Sequence, residues 1–148
     1  MPARSRHLLA WVQVAGLLAL DQLTKALIRS RFSVGEGFPV ITGIVHVTYV
    51  QNTGAAFGMF KGGQPLFILF STFVIVWMTW EILHSESFPW PAALIITGAL
   101  GNLIDRLRFG YVVDFIDLRV WPVFNVADSA LTIGVIALLW QSWRSARN

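Results

Sequence analysis

The chain has 148 residues, room for a single domain. Hydrophobic residues make up 55% and charged residues only 13%, against roughly 25% charged in a water-soluble domain, and the mean hydropathy of +0.63 points the same way, to lipid as the solvent. The net charge of +3 does not indicate nucleic acid, because the basic residues are scattered among apolar segments and form no stripe, and the lack of cysteine excludes disulfides, thiol catalysis and cysteine-ligated zinc.

Four stretches are apolar enough to span a hydrocarbon core, which takes about 20 residues: Leu8 to Ile28, Gln64 to Leu83, Phe88 to Ile104 and Val123 to Trp140. The first follows Arg4 and Arg6 as a signal peptide would. However, no small-x-small site follows Leu20, and Asp21 and Lys25 continue the helix. Tryptophans 11, 77, 80, 90, 121, 140 and 143 fall mostly near segment ends, the headgroup level that indoles prefer. The connection over 30–62 is rich in glycine, with a β-leaning piece at Ile44 to Val50 that suits a short strand or two. The connection over 108–122 is again β-leaning and is read as a small hairpin. The predicted fold is therefore mainly α, a polytopic membrane protein of four transmembrane helices in one domain over 1–148.

Four spans alternate in direction, so the end of the first, the start of the second, the end of the third and the start of the fourth share one side. Asp21, Lys25, Asn102, Asp105, Arg106, Asn125 and Asp128 all lie at those ends, and Asn52, Lys61 and Asp114 sit in the two long connections of that side. Charges at membrane depth are costly and commonly mark a functional site. The positive-inside rule does not orient the chain. Arg4, Arg6, Arg144 and Arg147 flank the termini, but Arg29, Arg31, Lys61, Arg106, Arg108 and Arg119 lie on the other side.

Carboxylates are the plentiful candidate catalysts on the polar side. His7 and His84 lie on the opposite side, His46 stands alone, and Ser129 has no histidine placed to serve it, which argues against a Ser/His/Asp triad. There is no His-Glu-x-x-His pattern for a metalloprotease. Two aspartates from separate elements can share one proton in a low-dielectric site. The ionised one activates water while the protonated one hydrogen-bonds the scissile carbonyl. A hairpin aspartate such as Asp114 facing a helix-start aspartate such as Asp128 meets that need, and Asp105, Asp117 and Asp21 are rival partners on composition alone. A carboxylate-based ion or proton carrier is the competing class. It would place polar groups through the full bilayer depth, whereas here they crowd one end.

Five patterns taken together resemble the lipoprotein signal peptidase family (signal peptidase II): Asp21-Gln22-Leu23-Thr24-Lys25, Asn52-Thr53-Gly54-Ala55-Ala56-Phe57, Gly101-Asn102-Leu103-Ile104-Asp105-Arg106, Val112-Val113-Asp114-Phe115, and Phe124-Asn125-Val126-Ala127-Asp128-Ser129. The resemblance implies an aspartic endopeptidase that cleaves diacylglyceryl-modified prolipoproteins immediately before the lipidated cysteine. It implies that Asp114 and Asp128 are catalytic, and that Asn52, Gly54, Asn102, Arg106 and Asn125 line or support the site. Asp21, Lys25 and Asp105 look like structural or substrate-orienting members of the same cluster. It further implies an inner-membrane location with both termini cytoplasmic, a small periplasmic β-sheet from the Ser33–Lys61 region, and the site at the periplasmic leaflet. Lipid and prolipoprotein are the expected partners, with no metal or organic cofactor, no nucleic acid, and a monomeric enzyme. Asp117 has no role in these patterns and is expected to be solvated or paired with Arg119.

Overall fold

A computed structural model describes residues 2–54, 64–86 and 88–147. Residues 55–63, which hold the end of the Asn52 pattern together with Gly58 and Lys61, lie outside the described residues. The order of elements is α1 (Ala3–Arg31), β1 (Gly37–Ile41), β2 (Val45–Asn52), α2 (Gln64–His84), α3 (Trp90–Phe109), β3 (Val112–Asp117) and α4 (Val126–Ser145).

The helices of 20 or 21 residues are each about 30 Å long, the thickness of a hydrocarbon core. Of the four helices, α2 and α4 are long and apolar enough to cross a membrane on length and composition alone. The other two carry Asp21 and Lys25, or Asp105, Arg106 and Arg108, within the last three turns. On α2 only Met78 and Ile82 are buried. Leu66, Leu69, Phe70, Phe73, Val76 and Trp77 face outward, an inside-out pattern that suits a lipid surround and not water.

The central helix is α3, which packs against each of the other three and buries Ala92, Ala93, Ile95, Ile96, Ala99 and the glycines Gly98 and Gly101. Small residues bring its backbone close to α4. A Cβ on Gly98 would stand 2.4 Å from the Ala127 carbonyl oxygen, the kind of close approach by which membrane helices pack. An apolar cluster of Ala10, Val14, Met78, Ile82 and the first half of α3 fills the end of the bundle nearer the termini.

The sheet order is β1-β2-β3, antiparallel throughout. The β-leaning stretch before Val50 becomes β2 and runs on to Asn52. The stretch after Arg108 folds differently from the expected hairpin: its strand, β3, pairs with β2 from the other long connection, and its return is limited to a bridge between Ile116 and Phe124. Pro122 has no N–H to extend that return, and Arg119 turns the chain through a left-handed conformation (φ 64°). Helix α4 begins at Val126, three residues later than expected, because Asn125 caps it: its side chain accepts from Asp128 N while the Asp128 side chain accepts from Asn125 N.

Candidate active site

The C-terminal ends of α1 and α3, the N-terminal end of α4 and the inner strand pair of the sheet meet at one end of the bundle. Lys25 lies at the bottom of this region, 2% exposed. Its ammonium group has three donors and three acceptors: Asp21 Oδ2 at 2.9 Å, Asp105 Oδ2 at 3.0 Å and Asn102 Oδ1 at 3.0 Å. A buried cation needs such complete pairing.

The two carboxylates around Lys25 each grip the backbone of another element. Asp21 Oδ1 accepts from Ala127 N at 2.9 Å, and Asp105 Oδ2 accepts from Val113 N at 3.0 Å. Those amides immediately precede Asp128 and Asp114, so one buried cluster sets the backbone beneath both. Gln22 completes it, with Nε2 donating to Asp21, to Asp105 and to the Gly101 carbonyl at 3.1–3.2 Å. Gln22 lies inside a quoted pattern, yet sequence reasoning gave it no role. Its position next to Asp21 was the available signal.

Three amides carry the order upward. Asn102 accepts from Lys25, so its Nδ2 faces Asp128 Oδ1 at 2.7 Å. Asn125 accepts from Asp128 N, so its Nδ2 faces Asp114 Oδ1 at 2.7 Å. Asn52 accepts from Gly54 N, so its Nδ2 faces Asp114 Oδ2 at 2.9 Å. In each case a donor on the amide oxygen fixes which end of the amide meets the carboxylate. Gly54 supplies its N–H from a left-handed backbone (φ 75°) that favours glycine. Asn52 reaches Asp114 because the register pairs it with Val112, two residues from Asp114 on the adjacent strand.

Asp114 is 1% exposed and Asp128 partly exposed. Burial pushes the Asp114 carboxyl up to about 6; the hydrogen bond from Asn52 opposes this, and the neighbouring charge of Asp128 adds to it. Arg106 flanks the pair, with its guanidinium 4.8 Å from the centre of the Phe67 ring and one nitrogen on the Asn102 carbonyl at 3.4 Å. Its Nε is buried without a hydrogen-bond partner among the described residues. Among those residues no three His, Cys, Asp or Glu side chains gather as a metal-ligand set.

Asp21, Lys25, Asn52, Asn102, Asp105, Asp114, Asn125 and Asp128 are thus joined in one hydrogen-bonded network, with Gly54 and Arg106 on its margin. Asp117 is not part of it. It accepts from Arg119 N and Thr48 Oγ1, each at 2.9 Å, and pairs with the Arg119 guanidinium at 3.6 Å. The backbone N–H of Arg119 leads in holding its carboxyl below the ordinary value. Of the rival partners, Asp21 and Asp105 are occupied by Lys25, Gln22 and backbone amides.

The network tolerates little intrusion. A Cβ on Gly101 would lie 2.6 Å from Asp21 Oδ2 and 2.9 Å from the Ala127 Cβ. Gly101→Ala is expected to lower stability by about 1–3 kcal/mol, read as a drop in the unfolding midpoint in detergent, with a matching loss of activity.

The family description Signal peptidase (SPase) II matches residues 13–144 of the chain. A lipoprotein signal peptidase of Moorella thermoacetica is 50% identical over 129 residues, covering 84% of this chain and 86% of that protein. One from Halothermothrix orenii is 43% identical over 142 residues, covering 94% and 98%. Among solved structures, a bacterial membrane enzyme determined by the in meso method superposes with a TM-score of 0.85 at 32% identity, covering 93% of this chain and 88% of that one. The network that joins the Asp21, Asn52, Gly101, Asp114 and Asn125 patterns therefore sits in a chain that belongs to the signal peptidase II family, the proteases of lipoprotein maturation.

Proposed function

We propose that this protein is an aspartic endopeptidase of the membrane that removes signal peptides from diacylglyceryl-modified prolipoproteins, cutting immediately before the lipidated cysteine. The observation that carries this reading is Asn125. Its side chain donates to Asp114 at 2.7 Å and its backbone N–H to Asp128 at 3.2 Å, so one residue holds a carboxylate from β3 and a carboxylate from α4 within its own reach.

In this reading Asp114 and Asp128 share one proton. The ionised member takes a proton from water as the oxygen attacks the scissile carbonyl, the protonated member hydrogen-bonds the carbonyl oxygen, and a proton then passes to the leaving nitrogen. Asn52, Asn102 and Asn125 hold the two carboxylates. Arg106, with Gly54 beside Asn52, orients the substrate backbone. Asp21, Lys25 and Asp105 support the whole from below. All four helices cross the inner membrane of a monomer, with the termini cytoplasmic and the site at the periplasmic leaflet. The crowding of polar groups at one end, the apolar cluster at the other and the outward-facing apolar side chains support spanning helices with the site at the face opposite the termini; which face is periplasmic rests on the family resemblance.

Purified protein in detergent is expected to cleave a diacylglyceryl-modified prolipoprotein before its cysteine, equally well with a chelator present, and to spare the unlipidated precursor. Cleavage that a chelator abolishes, or that falls elsewhere in the chain, would sink the assignment.

The pH profile gives a second test. A dyad that needs one shared proton loses activity as that proton leaves, and the carboxyl that holds it longest is the one raised by burial. For Asp114 at about 6, kcat/KM is expected to fall as pH rises through that value. The corresponding limb of kcat should lie at higher pH, because bound apolar substrate dries the site further. A flat kcat/KM between pH 5 and 8 would contradict the shared proton.

A further inference from the structure

Helix α2 carries none of the residues assigned above to the site, yet its first turn reaches into it. Gln64, the first residue of α2, donates from Nε2 to the Gly110 carbonyl at the end of α3. Phe67 follows three residues later, so the two side chains share one face of the helix. The Phe67 ring then meets two residues of the site at once. A Cβ built on Gly54 would stand 2.5 Å from Phe67 Cε2 and 3.1 Å from two further ring carbons, so the ring lies against the Gly54 backbone. The centre of the same ring is 4.8 Å from the Arg106 guanidinium carbon.

Arg106 is the cation whose placement needs explaining. Its charge interacts with those of Asp128, Asp114 and Asp105, yet it forms an ion pair with none of them. Asp105 is taken by Lys25. Among the described residues the Arg106 guanidinium makes one hydrogen bond, to the Asn102 carbonyl at 3.4 Å, and its buried Nε makes none. An arginine that settled on the dyad would grip a carboxylate with two N–H groups. That contact would favour the ionised form of both aspartates and expel the proton they share. It would also consume donors that a substrate carbonyl needs.

Two features oppose this collapse. Asp114 and Asp128 already accept from Asn52, Asn125 and Asn102, which weakens their pull on a further donor. The Phe67 ring offers the guanidinium another seat, an aromatic face that attracts a cation without occupying its N–H groups. Gly54 allows the ring this position, since a side chain there would take the ring's place. The ring thereby also closes on the turn in which Gly54 N orients Asn52 toward Asp114.

We propose that Phe67 is a positioning residue for the dyad, its ring seating Arg106 out of ion-pair contact with Asp114 and Asp128. The two aspartates thus keep one shared proton, and the guanidinium keeps its donors for the substrate. This rests on the peptidase reading above.

The test is the pH profile of kcat/KM for a lipidated prolipoprotein with Phe67→Ala and Phe67→Leu, the second keeping apolar bulk without an aromatic face. In both, the limb that falls with rising pH is expected to move at least about one pH unit toward acid. Above the limb this is a loss of at least about tenfold relative to wild type. Phe67→Tyr, which keeps the ring, should hold the limb where wild type has it. Adding Arg106→Gln to Phe67→Ala should return the limb without returning the rate. A merely structural loss would slow the enzyme and leave the limb in place, so an unmoved limb in both the Ala and Leu variants overturns the proposal. The infrared band of the Asp114 carboxyl, recognised by its loss in Asp114→Asn, follows the same proton without any cleavage. A midpoint unmoved by Phe67→Leu overturns the proposal there too. Wild-type protein that titrates in this way but cleaves no lipidated prolipoprotein would refute the peptidase reading instead.

Discussion

Asp128→Asn is expected to lower turnover of a lipidated prolipoprotein by about 10³–10⁴-fold while the protein stays folded. The side chain keeps its size and one oxygen. It keeps either the Asn102 hydrogen bond or the helix cap, because Asp128 uses one oxygen for each. Losing the cap should cost about 1 kcal/mol, too little to unfold the bundle. Asp114→Asn is expected to match that loss of turnover. There both carboxylate oxygens face amide donors, from Asn52 and Asn125, so an asparagine must turn its own NH₂ toward one of them. The mismatch is offset because a carboxyl raised by burial destabilises the fold above its ordinary value, and that cost vanishes with the charge. The double variant should be no slower than either single one, since two residues that act as one unit lose their joint contribution only once. Rates measured on detergent-solubilised protein decide the matter. Near wild-type turnover in either single variant, or a double variant slowed by the product of both factors, would refute the shared dyad.

Lys25→Met should produce the largest loss of stability, about 3–5 kcal/mol, because it leaves Asp21 and Asp105 buried with no cation between them. The unfolding midpoint in detergent is the measurement. Lys25→Met with Asp105→Asn should recover part of that stability, since the two sites touch and their effects are not additive. It should not recover turnover. Asn102 would lack the donor on its oxygen that now keeps its NH₂ on Asp128. Full recovery of both properties by the double variant would mean that Lys25 acts only as a counter-charge.

How far the sequence reached follows from what each inference required. Helix parity needs only hydropathy and order, so the gathering of polar groups at one end was legible from the chain. The pairing of β2 with β3 was not, because residues 60 or more apart, such as Asn52 and Val112, meet only through the tertiary fold. Residue chemistry alone leaves Asp105 a rival to Asp114, and only the resemblance separates their roles; the structure shows how their surroundings differ. Asp105 turns inward to Lys25 and Val113 N, while Asp114 meets two amides. Asn125 serves two elements at once, its oxygen capping α4 and its nitrogen holding Asp114, which no local pattern reveals. The ambiguous balance of basic residues also has a physical source. Arg119 is paired with Asp117, and the Arg29 and Arg106 guanidinium groups lie over the Phe109 and Phe67 rings, so these three are not plain surface charges.

The Asp21–Lys25 contact lies within a single helix, four residues apart and 2.9 Å between charges. On the proposed topology α1 precedes α2, α3 and α4 in chain order, so it reaches the bilayer before Asp105 on α3 can join the pair. A lone ionised residue costs up to about 2.5–3.5 kcal/mol to insert, the figure for the centre of a span, and two separate ones would cost up to about twice that. Because α1 brings both charges on one face, it can enter the bilayer as a neutral pair and wait there. Asp105 then joins a partnership that already exists when α3 follows, so the most polar part of the protein is assembled in the membrane without any step that strands a bare charge from α1 in lipid.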